Sequence, residues 1–222
     1  MGEWRKPKPT DGVISRYVNR KVSTRITAFI LKHGWGVTPN QITVISLLTA
    51  LFTAGIILAG HLIIGGIMIQ VSSMIDGVDG ELARARGVKS KFGGFLDAMM
   101  DRFADVSIIS ALTYVYTLNP PYGLGGASVA AIGMLALTGD LLVSYIHARG
   151  EASLGTHPSK VGKLRGFASR DVRLFILAVA TALLQGVAGM LIVGVISYVY
   201  VVGKVIEVWK HSEAMGWGPS ST

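Results

Sequence analysis

Six long apolar stretches, separated by polar or charged segments, divide the chain. A helix that crosses a membrane needs about 20 mainly apolar residues. The stretches lie at about 41–58, 61–84, 92–118, 124–147, 172–185 and 187–209, and the fifth is the shortest. The pattern predicts an all-α integral membrane protein with six transmembrane helices.

A different pattern occupies residues 11–32, before the first stretch. Apolar residues recur there every three or four positions, and Arg16, Arg20 and Lys21 fall between them. This periodicity predicts an amphipathic helix lying on the membrane surface; a helix packed on a partner domain is the alternative. We therefore expect a cytoplasmic arm at 1–37, a six-helix membrane domain at 38–211 and a flexible C-terminal tail at 212–222.

The basic residues indicate how the helices are oriented. None of the 21 lysines and arginines falls in the predicted turns at 60–61, 117–126 and 185–189. Basic residues concentrate in the cytoplasmic loops of membrane proteins. The sequence thus predicts a multi-pass protein of the cell membrane, with both termini and the active site in the cytoplasm.

Composition excludes several other classes of protein. Only 15% of residues are charged, against about 25% in soluble domains. There is no cysteine, which excludes a disulfide-stapled fold and a thiolate zinc site. We assign the net charge of +8 to loops beside anionic lipid and expect no nucleic-acid partner.

Four aspartates lie at the ends of the second and third predicted helices. Asp76 and Asp79 are three residues apart and Asp97 and Asp101 are four apart, so each pair shares one helix face. A short loop makes the two helices antiparallel neighbours, which brings both faces together. Four close carboxylates need cations to remain ionised. We predict two Mg²⁺ ions, with Mn²⁺ as an alternative.

These aspartates belong to a longer pattern, D-x-x-D-G-x-x-A-R-x8-G-x3-D-x3-D. Its members here are Asp76, Asp79, Gly80, Ala83, Arg84, Gly93, Asp97 and Asp101. The chain resembles the CDP-alcohol phosphotransferase family in this pattern and in its six spans. The resemblance implies an enzyme that cleaves a CDP-alcohol, releases CMP and passes the substituted phosphate to an acceptor hydroxyl. It also implies a homodimer in the lipid bilayer.

The resemblance further implies a role for each matching residue. Asp76, Asp79, Asp97 and Asp101 would hold the metals, and Asp101 would also be the catalytic base. The positions that would contact the CDP group are Thr38, Pro39, Asn40, Gln41, Gly80, Ala83, Arg84, Ser90 and Gly93.

A second group of basic residues bears on the acceptor. Arg170 and Arg173 are one helical step apart and could clamp a phosphate group. With Arg149 and Lys204 they predict a phosphorylated polyol acceptor, with inositol phosphate as the best candidate. We expect Asp105 to partner a nearby residue rather than bind metal, and Asp140 to pair with Arg102 or another helix.

The segments KPTDGVISRYVNRKVSTRI and ASRDVRLF are similar to family members that join CDP-inositol to inositol phosphate. The expected product is then di-myo-inositol phosphate phosphate. A phospholipid synthase that uses a CDP-linked lipid, with inositol phosphate or another polar alcohol as the acceptor, is the alternative. Phosphatidylinositol phosphate and archaetidylinositol phosphate synthases are examples. An ion-coupled transporter is the non-enzyme alternative, because carboxylates within membrane helices also mark ion paths. Their position beside basic loops favours the enzyme.

Overall fold

A computed structural model describes residues 3–7, 11–164, 166–212 and 217. Within that part the chain is helical and forms no strand. The helices are α1 (Arg20–Lys32), α2 (Pro39–Leu58), α3 (Leu62–Arg86), α4 (Lys91–Leu118), α5 (Gly126–Leu154), α6 (Arg170–Ala182) and α7 (Gly186–His211). A π-helical turn at Ser15–Asn19 leads into α1. Most of the predicted tail at 212–222 lies outside the described residues.

Each of the six predicted spans corresponds to one of the helices α2 to α7, so the all-α prediction is confirmed. Among the described residues, α2, α3, α5 and α7 are long and apolar enough to cross a membrane. Helix α4 carries several charges in its first half, and α6 has only 13 residues. The count of six crossings therefore stays a prediction.

Local sequence signals account for several helix boundaries. Thr38 caps α2 by accepting a hydrogen bond from the Gln41 amide, and Gln41 accepts one from the Thr38 amide in return. Ser90 caps α4 in the same way, through the Gly93 amide. Gly87 ends α3 with a φ of 68°, a left-handed conformation that glycine adopts without strain. The turn from α3 to α4 is therefore encoded locally.

The apolar core lies between the six helices α2 to α7. Ile57, Ile69, Leu112 and Met190 are fully buried there. Helices α3 and α6 approach closely, because a Cβ atom added to Gly66 would lie 2.4 Å from the Ala182 nitrogen. This close packing brings the charged end of α3 beside the first residues of α6.

Candidate active site

An acidic cluster forms where the end of α3 meets the start of α4. Asp76, Asp97 and Asp101 each place one carboxylate oxygen so that the three atoms lie within 4.8 Å of one another. All three side chains are half-buried. Hard divalent cations prefer oxygen ligands of this kind. The cluster therefore fits a divalent metal ion, and it brings together three of the four predicted metal ligands.

Asp79, the fourth predicted ligand, lies beside this cluster and turns toward α2. It is buried, and its Oδ2 atom accepts a 2.6 Å hydrogen bond from the Thr43 hydroxyl. It also accepts a hydrogen bond from the Gly80 amide and interacts electrostatically with Asp97 and Asp76. The Asp79 carboxylate therefore lies near Asp76 and Asp97 and has hydrogen-bond donors of its own.

Arg170, the first residue of α6, reaches across to the acidic cluster. Its Nη1 atom lies 2.8 Å from Asp76 Oδ2 and 2.9 Å from Asp101 Oδ1, and its Nε atom lies 3.0 Å from both oxygens of Asp105. One guanidinium group therefore joins carboxylates of α3 and α4. The predicted phosphate-binding role placed Arg170 in this region, but the contact with the acidic cluster was not foreseen.

A cavity of about 300 Å³ opens beside the cluster, and we call it the site cavity. Its walls include Asp76 and Asp101 together with Arg20, Arg84 and Arg170. Arginine binds phosphate oxygens in a bidentate way, and carboxylates accept hydrogen bonds from hydroxyl groups. The lining therefore suits a phosphorylated, hydroxyl-bearing molecule.

The segment before α1 forms one wall of the site cavity. The Ser15 amide donates a 2.6 Å hydrogen bond to Asp171 Oδ2, and Asn19 Nδ2 donates one of 3.0 Å to Ser73. Gly12 packs closely against the Asp171 side chain, because an added Cβ atom would lie 2.0 Å from Asp171 Oδ1. The periodicity of residues 11–32 predicted a helix but did not reveal this contact with α6.

Glu81 is a buried carboxylate that sequence reasoning missed. Its two oxygens accept 2.9 Å hydrogen bonds from the hydroxyls of Ser23 and Thr27, and Arg20 Nη1 lies 3.5 Å away. These contacts dock α1 on α3. Glu81 occupies a variable position of the family pattern, so the pattern did not single it out. The spacing of Ser23 and Thr27, one helical turn apart, was the available signal.

The predicted CDP contacts gather at the starts of α2 and α4 and along α3. A Cβ atom added to Gly93 would lie 3.3 Å from Asn40 Oδ1, which shows how closely the two starts approach. Thr38, Gln41 and Ser90 also serve as helix caps, and Pro39 is the first residue of α2.

On α3, Gly80 and Ala83 are half-buried, and Arg84 lines the site cavity. The Nε atom of Arg84 is buried and has no hydrogen-bond partner among the described residues. This N–H group would gain a partner if the side chain turned it toward an anionic ligand in the site cavity.

The other predicted acceptor residues lie elsewhere. Arg173 is 2% exposed, and it donates a 2.7 Å hydrogen bond to Asp140 and another to the Ala168 carbonyl. Lys204 is fully buried and binds the carbonyls of 161 and 164 and the Glu207 carboxylate. Arg149 is exposed and lines an apolar groove of about 520 Å³ between α5 and α7.

The two remaining aspartates both contact arginines. Asp105 contacts Arg170 and lies 2.9 Å from Arg102 Nη2, so it is a partner of nearby arginines. Asp140 lies 3.7 Å from Arg102 and 2.7 Å from Arg173. Both carboxylates are buried and compensated by arginine.

Comparison with known proteins identifies the family. The CDP-alcohol phosphatidyltransferase family matches residues 36–208. The chain belongs to this family. The named relatives in this family are transferases and synthases, which favours an enzyme over the transporter alternative. Members are metal-dependent, in agreement with the acidic cluster.

Two curated relatives are similar to this chain over about four fifths of its length. The chain is 43% identical over 184 residues to the bifunctional IPC transferase and DIPP synthase of Rubrobacter xylanophilus, covering 83% of this chain and 39% of that protein. It is 34% identical over 179 residues to the archaetidylinositol phosphate synthase of Pyrococcus horikoshii, covering 80% and 87%. The chain thus spans about two fifths of the length of the first of these relatives.

Solved structures confirm the fold. The phosphatidylinositol phosphate synthase of Mycobacterium tuberculosis, in complex with manganese and citrate, aligns with a TM-score of 0.70. The match covers 85% of this chain and 89% of that chain at 24% sequence identity. The same enzyme with CDP-DAG bound aligns equally well. At this identity the likeness shows a shared fold.

Proposed function

We propose that the protein transfers the inositol-bearing phosphate of CDP-inositol to inositol phosphate, releasing CMP and forming di-myo-inositol phosphate phosphate. The observation that carries the proposal is the site cavity, where the acidic cluster and Arg170 meet. The 43% identity to a bifunctional IPC transferase and DIPP synthase supports this choice of substrates.

On the donor side, Asp76, Asp97 and Asp101, with Asp79 beside them, would hold two Mg²⁺ ions. Bound divalent cations would neutralise the diphosphate and make CMP a better leaving group. Arg84 offers its unpartnered Nε–H to a phosphate oxygen of the donor. The approach of Gly93 to Asn40 fits the proposal that the starts of α2 and α4 close over the CDP group.

On the acceptor side, Asp101 would take the proton of the attacking hydroxyl. That hydroxyl oxygen bonds to the phosphorus that carries the inositol group, the bond from this phosphorus to the bridging oxygen breaks, and CMP leaves. A general base has to lie within hydrogen-bond reach of its substrate. Asp101 lines the site cavity 2.9 Å from Arg170, so a phosphate bound at Arg170 would bring the acceptor close to it.

Arg170 is the predicted acceptor residue that the geometry supports best. It lines the site cavity, whereas Arg173 and Lys204 are buried with protein partners and Arg149 lines the groove between α5 and α7. Acceptor roles for these three residues remain predictions.

We also propose the placement in the membrane. Six crossings by α2 to α7 would leave both termini and the site cavity on the cytoplasmic side, where the basic loops lie. Helix α1 would lie on the membrane surface, because its polar side docks on α3 while Val13, Tyr17 and Phe29 before and along it are exposed. A homodimer in the bilayer is part of this proposal.

A phospholipid synthase is the second candidate. It is favoured by the 34% identity to an archaetidylinositol phosphate synthase, of which the chain covers 87%. This candidate shares the acceptor with the first and differs in the donor, which would be a CDP-linked lipid.

The test is CMP release by the purified protein with Mg²⁺ and inositol phosphate. Parallel reactions would contain CDP-inositol, CDP-archaeol or CDP-diacylglycerol, and Asp97→Asn protein would serve as the blank. We expect CMP and di-myo-inositol phosphate phosphate from CDP-inositol. Release with a CDP-linked lipid alone would replace the first candidate with the second, and release with none of the three donors would overturn both.

A further inference from the structure

A row of alternating charges leads from the site cavity into the helix bundle. Arg170 contacts Asp105 at 3.0 Å, Asp105 contacts Arg102 at 2.9 Å, Arg102 lies 3.7 Å from Asp140, and Asp140 contacts Arg173 at 2.7 Å. We call these five residues the charge ladder. They come from α4, α5 and α6, so the ladder ties three helices together behind the acidic cluster.

Burial makes the ladder interdependent. Asp105 is 1% exposed, and Asp140 and Arg173 are also buried. A buried charge that loses its partner is strongly destabilised, because water cannot replace the lost interaction. The three buried members therefore depend on their neighbours for compensation, and Asp105 in particular is held between Arg102 and Arg170.

Arg170 connects the charge ladder to the acidic cluster through two edges of its guanidinium group. Both oxygens of Asp105 lie 3.0 Å from the Nε atom of Arg170, while the Nη1 atom extends to Asp76 and Asp101. A planar guanidinium held at its Nε edge presents its Nη edge in a defined orientation. Asp105 is too deeply buried to reach a substrate itself, so any effect it has on substrates runs through Arg170.

We propose that Asp105 is a positioning residue for Arg170, and that Arg102, Asp140 and Arg173 hold Asp105 in place. This inference rests on the proposed function, in which Arg170 binds the acceptor phosphate. Without Asp105, Arg170 would keep only its contacts with Asp76 and Asp101. It would then bind the acceptor less well and compete more strongly with a divalent cation for those two carboxylates.

A double-mutant cycle tests the inference, with Asp105→Asn, Arg170→Gln and the combined variant. In the parent enzyme we expect Asp105→Asn to raise the KM for inositol phosphate about tenfold and to change the KM for CDP-inositol less than about twofold. In the Arg170→Gln background the same change should alter the acceptor KM by less than about twofold. Glu151→Gln, an exposed carboxylate on α5, is the matched control.

Mn²⁺ affinity, measured by electron paramagnetic resonance without substrates, is a second readout. Asp105→Asn should weaken Mn²⁺ binding about threefold or more in the parent and leave it unchanged in the Arg170→Gln background. A purely electrostatic effect of the lost carboxylate would weaken binding equally in both backgrounds. This measurement needs no turnover, so it tests the inference even if the parent enzyme releases no CMP. The absence of CMP release would overturn the proposed function but not the inference about Asp105.

The inference fails if the effects of the two substitutions are additive, or if Asp105→Asn raises both KM values equally. Thermal unfolding in detergent would establish that each variant is folded. If Asp105→Asn does not fold, Asp140→Asn takes its place at the far end of the ladder. It should raise the acceptor KM about threefold, and this effect should also disappear in the Arg170→Gln background.

Discussion

Two cavities among the described residues differ in size and in chemistry. The groove between α5 and α7 has a volume of about 520 Å³ and is lined mainly by apolar side chains such as Tyr145, Val205 and Trp209. The site cavity is smaller, about 300 Å³, and is lined by carboxylates and arginines. The larger space offers little to a charged substrate, whereas the smaller one combines a cation-binding cluster with phosphate-binding groups.

The comparison shows that charge, more than volume, marks the reactive region. Carboxylates at the ends of membrane helices carry a free-energy cost, and here arginines compensate it. We therefore expect changes of charge around the site cavity to reduce activity strongly, and changes of volume at the groove to have little effect.

Removal of divalent cations should have the largest effect. Dialysis against EDTA should abolish CMP release, because the acidic cluster would lose the cations that neutralise the donor diphosphate. Added Mg²⁺ should restore turnover. Full activity in the presence of a chelator would contradict the assignment of Asp76, Asp97 and Asp101 as metal ligands.

Asp101→Asn should come next, lowering kcat by about 10²- to 10⁴-fold, the usual contribution of a positioned general base. The amide preserves the shape of the side chain but cannot take the proton. Equilibrium binding of the CDP donor should be retained, and a filter-binding titration would measure it. Unchanged kcat would exclude Asp101 as the base.

Arg170→Gln should raise the KM for inositol phosphate about 10- to 100-fold, the range expected for lost hydrogen bonds to a charged group. The KM for the donor should change much less. Arg25→Gln, the same substitution at an exposed position of α1, is the control. Equal acceptor KM values in the two variants would argue against phosphate binding by Arg170.

Glu81→Gln tests how much the docking of α1 on α3, beside the site cavity, contributes to stability. The substitution removes the charge that faces Arg20 and disturbs the hydrogen bonds to Ser23 and Thr27. We expect the free energy of unfolding to fall by about 1–3 kcal/mol. Unfolding in detergent would measure it, with Val22→Ala on the exposed side of α1 for comparison. Equal stability of the two variants would remove Glu81 as the docking residue.

Val205→Ala at the groove should have the smallest effect. Val205 is exposed, apolar and not part of the lining of the site cavity. We therefore expect kcat and both KM values to stay within about twofold of the parent. Steady-state assays would measure them. A large loss of activity would show that the groove takes part in the reaction. It would contradict the conclusion that the reactive region is confined to the charged site cavity.

Much of the fold and part of the site were predictable, because the signals involved are local. Apolar stretches located α2 to α7. The i, i+3 and i, i+4 spacings of the aspartates, with the short loop after α3, anticipated that Asp76, Asp97 and Asp101 would meet.

Tertiary packing decided the rest. Arg170 and Arg173 look equivalent on one helix, yet the first reaches the acidic cluster and the second is buried against Asp140. Glu81 likewise became a docking residue only when α1 packed on α3. Local spacing determines which side chains share a helix face, because an α-helix completes one turn about every 3.6 residues. Which charges then meet depends on how distant helices pack, and no local pattern records that arrangement.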